Sequence, residues 1–230
     1  MRRTFAMLLL LVAAPAALFA QSAGQSPVDS IAGLGVPRSA DELRRTIDQA
    51  GTDEVAARVA HDQARALKER TEYLIDIRKT ELKAIEKRVD LAKKDKRSED
   101  QKALESQRKG MELSLRVLER WRNVHDAAAN AADAERDAAR ESRDAAEAEQ
   151  KFSDMRSARQ PVVADSVVRT MPMDDGLVSQ VRKVIEARRS LADGRQQWWE
   201  RLRDLADRQK ELLDAQKAAR DFGAAANSGP

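Results

Sequence analysis

His61 and His125 are the only imidazoles in 230 residues, and there is no cysteine. Metal or nucleophilic chemistry would have to be built on these two positions. A di-metal helix bundle needs Glu-x-x-His pairs on facing helices, but Arg58 and Arg122 stand three residues before the histidines. Neither histidine has a second one four residues on, which a zinc helix requires. The sequence also lacks a nucleophile elbow, a phosphate loop and a dinucleotide fingerprint. No catalytic residue, metal ligand or cofactor is expected, and the chain reads as non-enzymatic.

Carboxylates are plentiful, yet their spacing serves helices. Asp41/Arg45, Glu54/Arg58, Asp90/Lys94, Glu105/Lys109, Glu112/Arg116, Glu147/Lys151 and Asp204/Arg208 all stand at i,i+4. Exposed pairs of this kind contribute roughly 0.3–0.5 kcal/mol each to helix stability. They describe a solvated helix surface. They do not describe an acid and a base aimed at one substrate.

Two features could recognise a partner. Trp198-Trp199 is conspicuous in a chain only 3% aromatic. Both rings are expected to cover a neighbouring helix, the alternative being an aromatic anchor for a binding partner. The second feature is the run Pro161 to Val168, where Val162, Val163, Val167 and Val168 interrupt a polar loop. They could dock on the body of the protein or add to a partner as an extended strand.

The elements that must position these residues are helical. No proline occurs between Arg38 and Gln160, and 35% of the chain is charged. Alanine occurs 40 times, including eleven of the 24 residues from Asp126 to Glu149. Such a composition suits long helices or coiled coil and leaves little bulk for a thick core. Leu177, Val184, Leu191, Trp198, Leu205, Leu212 and Ala219 recur every seven residues and form the d positions of a heptad seam. The a positions are mixed, with Arg188, Arg195, Gln209 and Gln216 among them. A solid seam beside a half-polar one fits a helix packed on a partner helix. Earlier, Ala60, Ala64, Leu67, Thr71 and Leu74 repeat with 4-3 spacing, as do Leu82, Ile85, Val89 and Ala92. The two sets join through a 4-4 step at Arg78, the signature of a stutter.

Punctuation sets the boundaries. Ser39-Ala40-Asp41-Glu42 fits a capping box, and Gly51 before Thr52-Asp53-Glu54 suggests that one short helix stops there and another starts. The polar run Lys93 to Gln101 reads as a turn. The expected organisation is a signal peptide at 1–20, a flexible linker at 21–38 and a helical hairpin at 39–157 turning near 94–98. A loop at 158–174, a coiled-coil helix at 175–222 and a disordered tail at 223–230 follow. The fold class is all-α: a long antiparallel hairpin plus a third heptad-patterned helix, elongated. Closure of the third helix onto its own hairpin as a three-helix bundle is favoured narrowly over pairing with another subunit.

Residues 1–20 carry Arg2 and Arg3 before an apolar stretch from Phe5 to Leu18, then small residues up to Ala20. That is the pattern of a secretory signal cleaved after Ala20, too short for a comfortable membrane span. It predicts a periplasmic or secreted protein with no membrane span after cleavage. Loss of the two arginines leaves 40 basic and 39 acidic residues. Residues 41–100 hold 15 of each sign. Nucleic-acid binding draws on concentrated positive charge, so that partner is not expected. The remaining class is recognition of protein: a scaffold, spacer or accessory subunit of a cell-envelope assembly, with self-association among the options. The alternative is a holdase-type chaperone gripping unfolded clients between helical arms.

Overall fold

A computed structural model describes residues 38–158 and 175–227. The signal and linker readings, the loop valines Val162, Val163, Val167 and Val168, and residues 228–230 lie outside the described residues. By its contacts the chain divides after Arg38, and all three helices belong to the second unit, Ser39–Pro230. They are α1 (Ala40–Lys94), α2 (Ser98–Ala158) and α3 (Asp175–Asn227). The described residues are all-α, and at ~1.5 Å per residue the helices are about 80–90 Å long.

Ser39 caps α1 as its sequence implies. Its Oγ accepts the Glu42 amide at 3.2 Å while Glu42 Oε2 accepts the Ser39 N–H at 2.8 Å. Gly51 does not break the helix: α1 is continuous through it. An interior glycine costs only about 1 kcal/mol, and the burial of Ala50 and Ala57 on either side offsets that. At the other end α3 runs five residues beyond Phe222, so 223–227, expected in the tail, are helical.

The turn between α1 and α2 is tight. Arg97 N–H donates to Ala92 O at 3.0 Å and Lys96 N–H donates to Lys93 O at 3.2 Å, the paired bonds of a Schellman ending. Lys96 sits at φ 57, in the left-handed region. A side chain there costs about 1–2 kcal/mol relative to a conformation that glycine adopts freely. Lys96→Gly is therefore expected to raise the stability of the protein by about 1 kcal/mol, read as an upward shift of the urea midpoint at unchanged slope.

The seam of α1 is unbroken. Leu43, Ala50, Ala57, Ala64, Thr71, Ile85 and Ala92 are buried on one column, with Ile75 and Val89 on the next. Together with half-buried Glu54, His61, Lys68, Arg78 and Leu82 these positions keep a strict 4-3 alternation along the helix. The stutter expected at Arg78 is absent. Ala60 is exposed and Leu74 is 41% exposed, because the two columns turned towards α2 run through Ala57, Ala64 and Thr71 and through His61, Lys68 and Ile75, one position to the side.

The larger correction concerns assembly. α1 packs on α2, and α2 packs on α3, but among the described residues α1 and α3 do not touch. The three helices form an open layer with α2 in the middle, not a closed bundle. α3 lies antiparallel to α2 of its own chain: Gln180 Nε2 donates to Ala148 O at 3.0 Å near one end, and Gly194 lies against Ala138. At the other end Phe222 reaches Gly110. Two adjacent columns of α2 make this possible. Val124, Ala131, Ala138 and Ala145 form one and His125, Ala132, Ala139 and Ala146 the other, all buried. Alanine lets two helices approach the middle one closely while each buries little area per turn.

A candidate interaction face

The seam of α3 fixes what its remaining surface presents. Leu177, Val184 and Leu212 are buried at d, and Leu191, Trp198 and Leu205 are half-buried there. One residue further along lies the e column, Val178, Ile185, Ala192, Trp199, Ala206 and Leu213, apolar at six successive heptads. Trp199 is 54% exposed and Leu213 60%, and Ile185 is also exposed. Of the tryptophan pair, Trp198 lies half-buried on the seam that faces α2, and Trp199 stands one position to the side and more than half exposed. Their rings stay 5.6 Å apart. Trp198 Nε1 is buried and finds no hydrogen-bond partner among the described residues.

α1 has a comparable surface beside its seam. Leu74, Ile77 and Leu91 are exposed, with Ala56, Ala60 and Ala84 at intervening turns. Following each helix round from its buried seam in the right-handed sense, these positions and the e column of α3 emerge on the same side of the layer. On α2 that side carries Trp121, Ala128 and Glu135. Two cross-helix interactions agree with the placement. Asp53 of α1 acts on Glu135, and Arg188 Nε donates to Glu149 Oε1 at 2.8 Å.

The opposite side of the layer is polar. α2 presents Lys102, Lys109, Arg116, Asn123, Asn130, Asp137, Asp144 and Lys151 there, all exposed except half-buried Asn123. Ion pairs lace it to both neighbours. Lys68 Nζ meets Asp126 at 2.6 Å, Arg143 Nη1 meets Glu54 at 2.8 Å and Arg120 Nη1 meets Glu211 at 2.6 Å. Glu54 thus turns away from its i+4 arginine to bridge helices, whereas Asp204–Arg208 forms within α3 at 3.4 Å. One side of the layer carries most of these cross-helix ion pairs, and the other, apart from Arg188–Glu149 and Glu135, exposes apolar side chains.

The histidines occupy separate places. His61 lies on the α1 seam with Asp62 at 3.2 Å and Asp133 at 3.6 Å. His125 is buried with its ring stacked on Trp121 at 5.4 Å, and burial pushes its imidazole pKa down. Among the described residues no group of three His, Cys, Asp or Glu side chains converges as a metal site. Two open clefts lie among the described residues. One lies at the hairpin turn between Leu91, Ala92, Ala103 and Leu104, and a polar one separates Asn123 and Asn130 from Asp204 and Arg208. No described helix is long and apolar enough to cross a membrane.

Glu135 is the strained charge on the apolar side. Burial pushes its carboxyl pKa up, and the neighbouring Asp53 carboxylate adds to the rise. A carboxyl whose folded pKa is raised favours the fold while it is protonated and loses that contribution as pH rises through the folded value. Glu135→Gln is expected to stabilise the protein at pH 7 by up to about 1 kcal/mol, the gain limited by solvent screening of a half-buried group. The difference from wild type should shrink as pH falls through the carboxylate range. Thermal unfolding of both proteins between pH 7 and pH 4 measures it.

Sequence reasoning singled out Trp199 of this face, assigned Leu74 to the buried seam, and passed over Ile185, Leu213 and Ile77. The signal was present in the e column, apolar every seventh residue. The d column beside it, with leucine or valine at five of its seven positions, is the stronger pattern. Comparison with family models, with curated proteins and with solved structures finds no match to this chain.

Proposed function

We propose that this chain is an exported, non-enzymatic structural protein that works as a scaffold, spacer or accessory subunit of a cell-envelope assembly. The observation that supports this best is the layer itself: three helices of 53 to 61 residues with one side braced by ion pairs and the other apolar and uncovered. A surface of this kind binds protein, because a contiguous apolar patch is costly in water and is covered by a partner in the working state. Export rests on Arg2, Arg3, the apolar stretch from Phe5 to Leu18 and the small residues up to Ala20.

Crosslinking in intact cells, followed by mass spectrometry of the captured species, tests the reading. Recovery of envelope proteins crosslinked to residues on the apolar side supports it, as does a mature N-terminus at Gln21. Recovery of the chain in the cytoplasm with residues 1–20 intact contradicts it. The exposed Trp199, Leu213 and Leu74 also favour a second reading, a holdase that covers unfolded clients with this side. That reading requires the purified protein to suppress aggregation of a denatured client at stoichiometric ratio and Trp199→Ala to weaken the suppression.

A further inference from the structure

We propose that the uncovered arc of α3 docks a helix of a partner protein, one whose apolar column is bordered by carboxylates. The inference rests on the structural-protein reading and names the chemistry of its partner.

Three observations carry it. The first is a separation of charge around α3. The residues three and four positions beyond each member of the e column border that column on the helix surface. On one border stand Val181, Arg188, Arg195, Leu202, Gln209 and Gln216, and on the other Arg182, Arg189, Gln196, Arg203, Lys210 and Lys217. Between 178 and 217 α3 holds ten basic and seven acidic residues. The e column and its two borders take seven of the basic ones and none of the acidic. Glu186, Asp193, Glu200, Asp207 and Asp214 recur beyond the second border, away from the e column. These carboxylates leave the border cations unpaired. Among the described residues Arg182, Arg189, Arg203, Lys210 and Lys217 are exposed and form no ion pair, whereas Arg208 pairs with Asp204 and Glu211.

The second observation is the centre of the arc. Trp199 stands midway along it, 54% exposed, with Arg195 and Arg203 four residues to either side. Tryptophan and arginine are the residue types that dominate the energy of protein interfaces. A partner that covers the indole with an apolar side chain and sets carboxylates beside it answers both. Opposite charges bordering a helix seam select the pairing, and like charges oppose it.

The third is period, which favours a helix over a flat lipid surface. The e column repeats every seven residues over about 60 Å of helix, beside the d column that holds α3 on α2 with the same period. On a straight helix a column spaced by seven residues turns by about 20° per heptad, roughly 100° from Val178 to Leu213. A flat surface loses such a column within a few turns. Two helices keep it by coiling around each other.

Two synthetic four-heptad peptides test the proposal on the purified full chain. Both carry leucine on a heptad column, bordered by glutamate in one and by lysine in the other. The glutamate peptide is expected to bind at least tenfold more tightly by isothermal titration calorimetry at low salt. Arg203→Glu/Lys210→Glu/Lys217→Glu should invert that preference and Arg203→Gln/Lys210→Gln/Lys217→Gln should abolish it. Circular dichroism should be unchanged in both, because the three positions are exposed. Trp199→Ala should weaken binding of the glutamate peptide at least tenfold. No binding of that peptide, equal affinity for the two, or a preference that survives the triple variants overturns the proposal. Tighter binding to phosphatidylglycerol vesicles overturns it in favour of a lipid surface. Self-association of the wild type that the triple variants abolish overturns it in favour of a second copy. Failure here is distinct from failure of the structural reading: a chain that ignores both peptides and still crosslinks to envelope proteins loses only the acidic helix.

Discussion

Val184→Asp is expected to release α3 while leaving the α1–α2 hairpin folded. Val184 is 0% exposed, in the half of α3 that lies on the alanine-rich end of α2. An aspartate there must either ionise without a partner or bury a neutral carboxyl, at a cost of at least about 3 kcal/mol. Val184→Ala, which only deletes methyl groups, should cost about 2 kcal/mol and keep the helix docked. The release is selective because α1 makes no contact with α3. Hydrogen exchange with mass spectrometry reads this directly. Amides of 175–227 should lose protection in Val184→Asp, and those of 40–94 should keep it. Simultaneous loss of protection in all three helices would mean that α1 and α3 are coupled, which an open layer does not allow.

Ala146→Leu is expected to be the most damaging of the enlarging substitutions on α2. Ala146 is 0% exposed and ends a buried column that begins at His125 and repeats every seven residues. Helices meeting through alanine have no slack for three more carbons, so the backbones must separate or the leucine must leave its preferred rotamer. Overpacking of this kind costs about 1–3 kcal/mol, and at this position the upper end is expected because α1 and α3 both pack on the neighbouring alanines. Ala218→Leu, on an exposed position of α3, adds the same carbons without a clash and should stay within about 0.5 kcal/mol of wild type. Chemical denaturation of the two variants separates packing from helix propensity. Equal effects would show that the α2 columns are not tightly packed.

The two seams show how much of this fold was legible beforehand. On α3 the d residues are mostly leucine, valine and tryptophan, and of these Leu177, Val184 and Leu212 are buried and Leu191, Trp198 and Leu205 half-buried. On α1 the buried column is mostly alanine, with Thr71, and the larger Leu67 and Leu74 stand one position to the side. Ranking by size drew the reading onto those leucines and created a stutter that the helix does not have. The turn at 95–97 and the cap at Ser39 were legible because capping chemistry is local. Whether α3 would close on α1 was not, because a heptad pattern tells how many faces a helix buries and not how those faces are arranged around a neighbour. The uncovered side follows from that arrangement, so Ile185 and Leu74 became candidates only once the layer was known.

The open layer is the claim on which the interaction face depends, and one distance tests it. Arg58 on α1 and Gln197 on α3 are exposed and level with each other on the polar side of the layer. Spin labels at Arg58→Cys and Gln197→Cys, in chains diluted into unlabelled protein so that only distances within one chain count, report the separation of the outer helices. With α2 between them the axes should stand about 16–20 Å apart, twice the usual helix packing distance. A separation near 10 Å would place α1 directly against α3, close the bundle and remove the apolar face from solvent.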